Sequence, residues 1–379
     1  MRISSKILSL CLLSLILSCK SETDHDVFEI SGYDAVSVPF EEIATDIQIV
    51  PLSSDEPIDA AQARVYGDEL FITDERMEQM WYFRQHKFVS RLSAKGRGPG
   101  EYDVLYRWAY HPETHSLYVA PTNKQCILKY DVPSMRFVGS IPTDWFFSGT
   151  FNVLNDSSLI MFRTVDEVSR DMARINMPTG RAESILPISA EESEVRMSVT
   201  DLLQCKVAVG ITGNVNRLGR MEADGTFNEV FRFRFSDGIP ETMSRKRTSD
   251  NMADKLEYKL FVMGEHYSAN VLFPIVGDDG FSFWYTNYNP EDGSDTKIQL
   301  YCKSDSVVTH VTDLSIPGLN FCIEADGVTG DGGYFAIING PSDMRADPDT
   351  APDDLAKEIM SALDAQNDYN PILLYYRIR

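Results

Sequence analysis

The feature that most constrains the fold is a repeat along the chain. Leu70-Phe71-Ile72-Thr73-Asp74 leads to Met80-Trp81-Tyr82-Phe83 and then to Phe88-Val89-Ser90-Arg91-Leu92. The pattern returns as Leu117-Tyr118-Val119-Ala120, Ile127-Leu128-Lys129-Tyr130 and Phe137-Val138-Gly139-Ser140-Ile141. The spacing is roughly 47 residues from Leu70 to Leu117 and roughly 49 from Phe88 to Phe137, which suits the ~40–50-residue period of propeller blades. Each unit is a series of short apolar or alternating runs joined by turns, as consecutive antiparallel strands require.

Weaker copies follow at Leu159-Ile160-Met161-Phe162, at Val207-Ala208-Val209-Gly210 and at Phe281-Ser282-Phe283-Trp284-Tyr285, each with two later strand-like runs. A sixth unit is split between Tyr334 to Ile338 and Ile372 to Tyr376, with Asp353 to Ala365 between them reading as a helix through Leu355, Ile359, Ala362 and Leu363. Glu241 to Phe261 breaks the rhythm as a charged helical loop with Met252, Leu256 and Leu260 at helical intervals. Ile47-Gln48-Ile49-Val50-Pro51-Leu52 has no unit of its own and is expected to pair with the last blade, because closing the ring leaves few open strand edges. The expected fold class is all-β, a six-bladed β-propeller with short helical insertions; a β-sandwich is the alternative.

The first residues speak to compartment. Arg2 and Lys6 precede an apolar run from Ile7 to Leu17 that is too short to span a bilayer, and Ser18-Cys19 follows at once. Ile16-Leu17-Ser18-Cys19 resembles the lipobox of bacterial lipoproteins, which implies acylation of Cys19 and anchoring to a lipid bilayer without a transmembrane helix. The expected organisation is a signal peptide at 1–18, a lipidated flexible tether at 19–40 and the propeller at 41–379. Lys20-Ser21-Glu22-Thr23-Asp24-His25-Asp26 is similar to the signal that sends Bacteroidetes-type lipoproteins to the outer leaflet of the outer membrane.

A formal net charge of −22 would repel phosphates, so nucleic acid is excluded as a partner. Cys11 leaves with the signal. Cys126, Cys205, Cys302 and Cys322 do not form a disulfide framework and read as small hydrophobes in strands, with a Cys302–Cys322 bridge left open.

Gly96-Arg97-Gly98-Pro99-Gly100-Glu101-Tyr102 lies between the first and second units. It lacks the Gly-Lys-Ser/Thr of a phosphate loop and leads into a strand, so no nucleotide or other cofactor is expected. Three glycines and a proline let the chain cross from one blade to the next, and Arg97, Glu101 and Tyr102 are candidates to project around the central channel. Taken with the lipobox, the early Ile-Val-Pro-Leu strand and the terminal Asn370-Pro371-Ile372-Leu373, this heptapeptide resembles the six-bladed β-propeller lipoproteins of the Bacteroidetes type, relatives of NHL and TolB-like propellers. The resemblance implies the propeller and the anchor, and assigns no biochemical activity.

Candidate ligand-binding residues are Arg97 as a planar donor fork, Glu101, Tyr102 as a stacking face, and Trp108. Trp145-Phe146-Phe147 divides between sugar stacking and core. His111 and His115 are four apart, but Pro112 makes the segment a hairpin turn, so no metal site is expected there. Gly277-Asp278-Asp279-Gly280 and Gly330-Asp331-Gly332-Gly333 lack the ligand spacing of a calcium loop. The leading function is a membrane-tethered propeller that binds a glycan, peptide or envelope protein without catalysis. The alternatives are a hydrolase or lyase at the channel mouth and a structural envelope protein.

Overall fold

The computed structural model describes residues 27–32, 35–54, 56–143, 151–164, 170–188, 192–201, 206–213, 215–247, 249–276, 280–303, 308–319, 321, 323–329, 333–339, 350–366 and 370–379. It opens with three strands and one helical turn: β1 (Phe28–Ile30), β2 (Val36–Pro39), α1 (Phe40–Ile43) and β3 (Ala44–Pro51). The first blade is β4 (Ala60–Tyr66), β5 (Glu69–Asp74), β6 (Met80–Arg84) and β7 (Lys87–Leu92). The second is β8 (Trp108–His111), β9 (Ser116–Val119), β10 (Cys126–Asp131) and β11 (Arg136–Pro142). The third is β12 (Phe151–Asn155), β13 (Ser158–Thr164), β14 (Arg170–Asn176) and β15 (Ala182–Ile188). The fourth is β16 (Glu192–Asp201), β17 (Lys206–Gly213), β18 (Asn216–Met221) and β19 (Phe227–Phe235). After α2 (Glu241–Arg247) and α3 (Met252–Gly264) comes the fifth, β20 (Tyr267–Val276), β21 (Gly280–Asn289), β22 (Ser294–Lys303) and β23 (Val308–Ser315). The sixth takes β24 (Gly327–Val328), β25 (Tyr334–Ile338) and β26 (Ile372–Ile378), with α4 (Asp354–Asp364) between the last two, and borrows β3 as its outer strand.

The ring closes through that borrowed strand. β3 runs antiparallel to β26, with Leu373 opposite Val50 and Leu374 opposite Ile49, as the Ile47 to Leu52 pattern led us to expect. Alternation within each strand divides the apolar side chains between the two neighbouring seams. Leu70 and Ile72 face the sixth blade, where Phe335 and Leu373 meet them, while Phe71 between them faces Trp108 and Tyr110 of the second. Six apolar clusters result, one for each seam of the ring.

Three features differ from the sequence reading. The innermost strand of several blades, such as β4, β16 and β20, was not foreseen, because these strands lack the regular two-residue alternation used to find the others. Residues 28–30 and 36–39, assigned to the flexible tether, are strands: β1 lies parallel to β19 on the rim of the fourth blade and β2 parallel to β23 on the fifth. With β3 they make a belt along three consecutive blades, pinned by buried Ile30, Gly32 and Phe40. Gly32 donates its N–H to Asp237 Oδ1 (2.9 Å) and accepts from Tyr285 OH (3.1 Å), and a Cβ there would overlap the Ser268 side chain. The helical loop, third, is two helices: α3 is capped by the Asn251 side chain accepting from Ala253 N (2.9 Å).

The helix foreseen after Asp353 is α4, capped by the Asp353 side chain accepting from Ala356 N (2.7 Å) and buried through Leu355, Ala356, Ile359 and Leu363. Cys19, Cys322, Trp145-Phe146-Phe147, Gly277-Asp278-Asp279 and Gly330-Asp331-Gly332 lie outside the described residues.

Candidate functional site

Antiparallel strands place the first-to-second and third-to-fourth hairpin turns of every blade on one face of the ring. The blade-to-blade crossovers and second-to-third turns lie on the other. The Gly96 to Tyr102 segment is a crossover, and it is closed on itself. Gly96 N donates to Tyr102 O (2.8 Å), Tyr102 N to Ala94 O (3.0 Å) and Glu101 N to Gly98 O (3.1 Å). Lys124 reaches in from the second blade and donates to the carbonyls of Gly98 (2.8 Å) and Glu101 (2.6 Å), while Tyr130 OH donates to Gly100 O (2.7 Å). Gly100 sits at φ +73°, a left-handed conformation that glycine adopts without steric cost, and a Cβ there would run into the Phe137 ring.

This geometry reassigns most of the expected ligand residues. Tyr102 is fully buried; its hydroxyl donates to Glu78 O (2.8 Å) and accepts from Ala94 N (3.1 Å), and burial pushes its phenol up to about 12. Trp108 is also fully buried, with the Arg64 guanidinium 4.1 Å from its ring centre. Neither offers a stacking face, because the aromatic area that made them candidates is spent on the first-to-second seam. The Glu101 carboxylate is engaged by Gly98 N (2.6 Å). Arg97 alone is exposed, and it has no partner among the described residues. His111 is buried with Nε2 3.0 Å from Asp156 Oδ1, whereas His115 Nδ1 faces Tyr110 OH (3.0 Å), so the two histidines serve different contacts. Among the described residues no group of three or more His, Cys, Asp or Glu is placed to hold a metal ion.

Sequence reasoning missed a recess of about 850 Å³ on the hairpin face, where the sixth blade meets the first. The turn Tyr66-Gly67-Asp68-Glu69 forms one wall, Tyr375-Tyr376-Arg377 and Tyr334 another, and His86 and Asp46 stand at its edge. A register shift between Tyr375 and Arg377, with Asp46 at φ +53°, bends the β3–β26 ladder there. Glu69 is a buried carboxylate held by three donors: Tyr82 OH, Tyr110 OH (2.7 Å) and Arg84 Nη2 (2.9 Å). Its position is therefore fixed before any ligand arrives.

Glu69 is paired with Arg84 and Asp46 with Arg377 (3.9 Å), which leaves Asp68 in excess, and desolvation lowers the His86 imidazole, so the recess carries a small surplus of acid. It favours cations and hydrogen-bond donors beside tyrosine surfaces. No single motif announces such a site, which is assembled from three blades.

A smaller recess of about 250 Å³ opens on the crossover face of the same seam, lined by Glu324, Asp326, Asn339 and Ala60 among others. Asn339 clasps Ala60, accepting from its N–H and donating to its carbonyl, both at 2.9 Å. Asp326 is exposed and accepts from Ile337 N (2.6 Å). Desolvation, with Glu324 nearby, pushes its carboxyl up to about 7.

Six sheets in cyclic order around six apolar seams define a six-bladed β-propeller. In agreement, residues 18–185 match a family described as a 6-bladed beta-propeller. A solved structure from Bacteroides fragilis, described as an exported protein, is similar over 93% of this chain and 99% of its own, at 15% identity and a TM-score of 0.65. A second, a member of the duf4221 family from Bacteroides vulgatus, is similar over 89% of this chain and 98% of its own, at 10% identity and a TM-score of 0.52. No curated protein matches the chain. Among the described residues no helix is long and apolar enough to cross a membrane.

Proposed function

We propose that the chain is an exported, lipid-anchored protein of the cell envelope whose propeller binds a glycan, peptide or partner protein without catalysis. The hairpin-face recess is the binding site in this reading. Its acidic, tyrosine-walled lining carries the proposal: Asp46 and Asp68 are exposed acceptors at the rim, and Glu69 is preset in the wall. Such a surface suits hydroxyl-rich or cationic groups presented beside an apolar face. Export and anchoring are supported by the charged start, the short apolar run and Cys19, and by the likeness to a Bacteroides fragilis structure described as exported. The stretch after Cys19 supports the outer membrane as destination, and kinship with NHL and TolB-like propellers belongs to the same proposal.

The test is a glycan array and a basic-peptide array probed with the wild type and with Asp46→Asn/Asp68→Asn. Retained binding at wild-type level in the double variant, or blank arrays for the wild type, would refute this site. One observation favours a second reading, a glycan or peptide hydrolase or lyase. The Asp326 carboxyl, raised beside Glu324, lines the crossover-face recess where a general acid could meet a ligand. Hydrolysis or elimination of envelope glycans or peptides that Asp326→Asn abolishes would establish it.

A further inference from the structure

Helix α3 carries an apolar stripe that the propeller does not cover. Met252 is 76% exposed, Leu256 56%, Leu260 62% and Met263 70%, and none of the helix is buried. At about 100° per residue these four side chains fall within a single arc, with Lys255 and Lys259 along one border. The opposite side of the helix is the one already engaged, mostly by the rest of the hairpin. Lys246 of α2 pairs with Glu257, Ser249 Oγ donates to Asp254 (2.7 Å), and the Phe261 ring lies 6.4 Å from Tyr267 of β20. The stripe is thus held outward by contacts made elsewhere on the hairpin.

Its location identifies what covers it. β1 pairs with the end of β19, Ser236 N donates to Ile30 O (2.9 Å), and α2 begins a few residues later at Glu241. β1 runs parallel to β19, so the amino-terminal end of the described chain meets the rim of the fourth blade opposite Phe233, roughly eight residues before α2 begins. Only seven residues, 20–26, lie between Cys19 and that point, a reach of at most about 28 Å, while α3 is about 20 Å long. Charge agrees. In a chain of net −22, the hairpin sets Arg245, Lys246, Arg247, Lys255 and Lys259 against Glu241, Asp250, Asp254 and Glu257. It is a surface that an anionic bilayer does not repel.

We propose that α3 is a second membrane contact, seating Met252, Leu256, Leu260 and Met263 in the interfacial layer of the bilayer to which Cys19 is attached, with Lys255 and Lys259 extended to the headgroups. The placement beside the anchor rests on the reading of Cys19 as acylated. In this orientation the crossover face near the fourth and fifth blades turns toward lipid, and the acidic recess on the hairpin face turns toward solvent.

Three measurements test it. Mass spectrometry of the mature amino terminus reads acylation by itself. In the acylated protein reconstituted into phosphatidylethanolamine–phosphatidylglycerol vesicles, Leu256→Trp should be quenched severalfold more strongly by brominated lipid than Val89→Trp on the first blade; equal quenching overturns the docking. The chain from Lys20 onward, which contains every strand of the ring, should bind the same vesicles about tenfold more weakly for each of Leu256→Asp and Leu260→Asp. Unchanged partitioning overturns it, as does concentration-dependent dimerisation that these variants abolish, since the stripe would then cover a second copy. An unacylated Cys19 with leucine-dependent vesicle binding fails the anchor and keeps the docking; an acylated Cys19 with flat quenching and partitioning does the reverse.

Discussion

Replacing Phe40 by alanine tests whether the amino-terminal belt holds the ring together. The side chain is fully buried in the seam between the fifth and sixth blades, edge-on to Tyr376 with ring centres 4.8 Å apart. It joins β2 on one blade to β3 on the next, so its loss leaves a void where two blades and the belt meet. Truncating a buried phenylalanine costs about 3–5 kcal/mol, and the lost edge-to-face contact places Phe40→Ala in the upper half of that range. With an unfolding entropy of about 2.1 cal/mol/K per residue over the roughly 300 described residues, a loss of ~4 kcal/mol lowers Tm by about 6 °C.

Phe28→Ala is the control, because Phe28 also lies in the belt but is 56% exposed and only stacks on Phe231 at 5.1 Å. It should cost no more than about 1 kcal/mol. Urea unfolding followed by tryptophan fluorescence, with calorimetry alongside, reads both variants. A Phe40→Ala cost under about 1 kcal/mol, or one equal to that of Phe28→Ala, would refute the belt as a structural clamp.

Gly100→Ala should lose about 1–2 kcal/mol from the left-handed backbone alone and more if Phe137 cannot swing aside, whereas Gly67→Ala, also left-handed but with open space around its Cβ position, should lose only the backbone part; thermal melts compare them. Lys124→Met should cost about 1–3 kcal/mol by removing both charge-assisted bonds to the crossover, and proteolysis should cut faster near Gly98. The fold should also fail in alkali. Tyr102, Tyr334 and Tyr375 have phenols raised to about 12, so their contribution is intact below the ordinary value near 10 and is lost as pH climbs through 12. For the fully buried Tyr102 this amounts to about 2–3 kcal/mol. Phenolate absorbance should show a late class of tyrosines appearing together with loss of circular dichroism, and a single early titration with the fold intact would contradict it.

The repeat and the closing strand were legible because both are written locally. Outer strands alternate, as in Phe88-Val89-Ser90, since one face meets a neighbouring blade at the rim, and Ile47 to Leu52 stood out as a strand with no blade of its own. The innermost strands were not legible, because β4 and β20 are shaped by neighbours on every side and carry no clean period. The same limit governed the site. Tyr102 and Trp108 carry the composition of a ligand platform, but whether an aromatic ring faces a channel or a seam depends on blade packing, which the local sequence does not encode. The acidic recess joins Asp46, Asp68 and Arg377, and residues so far apart in the chain become neighbours only when the first and last blades meet.

That meeting has a temporal side. β3 belongs to roughly the first seventh of the chain to be synthesised, yet its partner β26 lies at the far end and emerges last. Until then the leading strand has an open ladder of peptide groups and nothing native to bond, the condition under which long-range β pairing is slow and strands associate wrongly. A chaperone, or an early hold on the amino terminus, would serve this interval, and a chain that loses its last eight residues could never leave it.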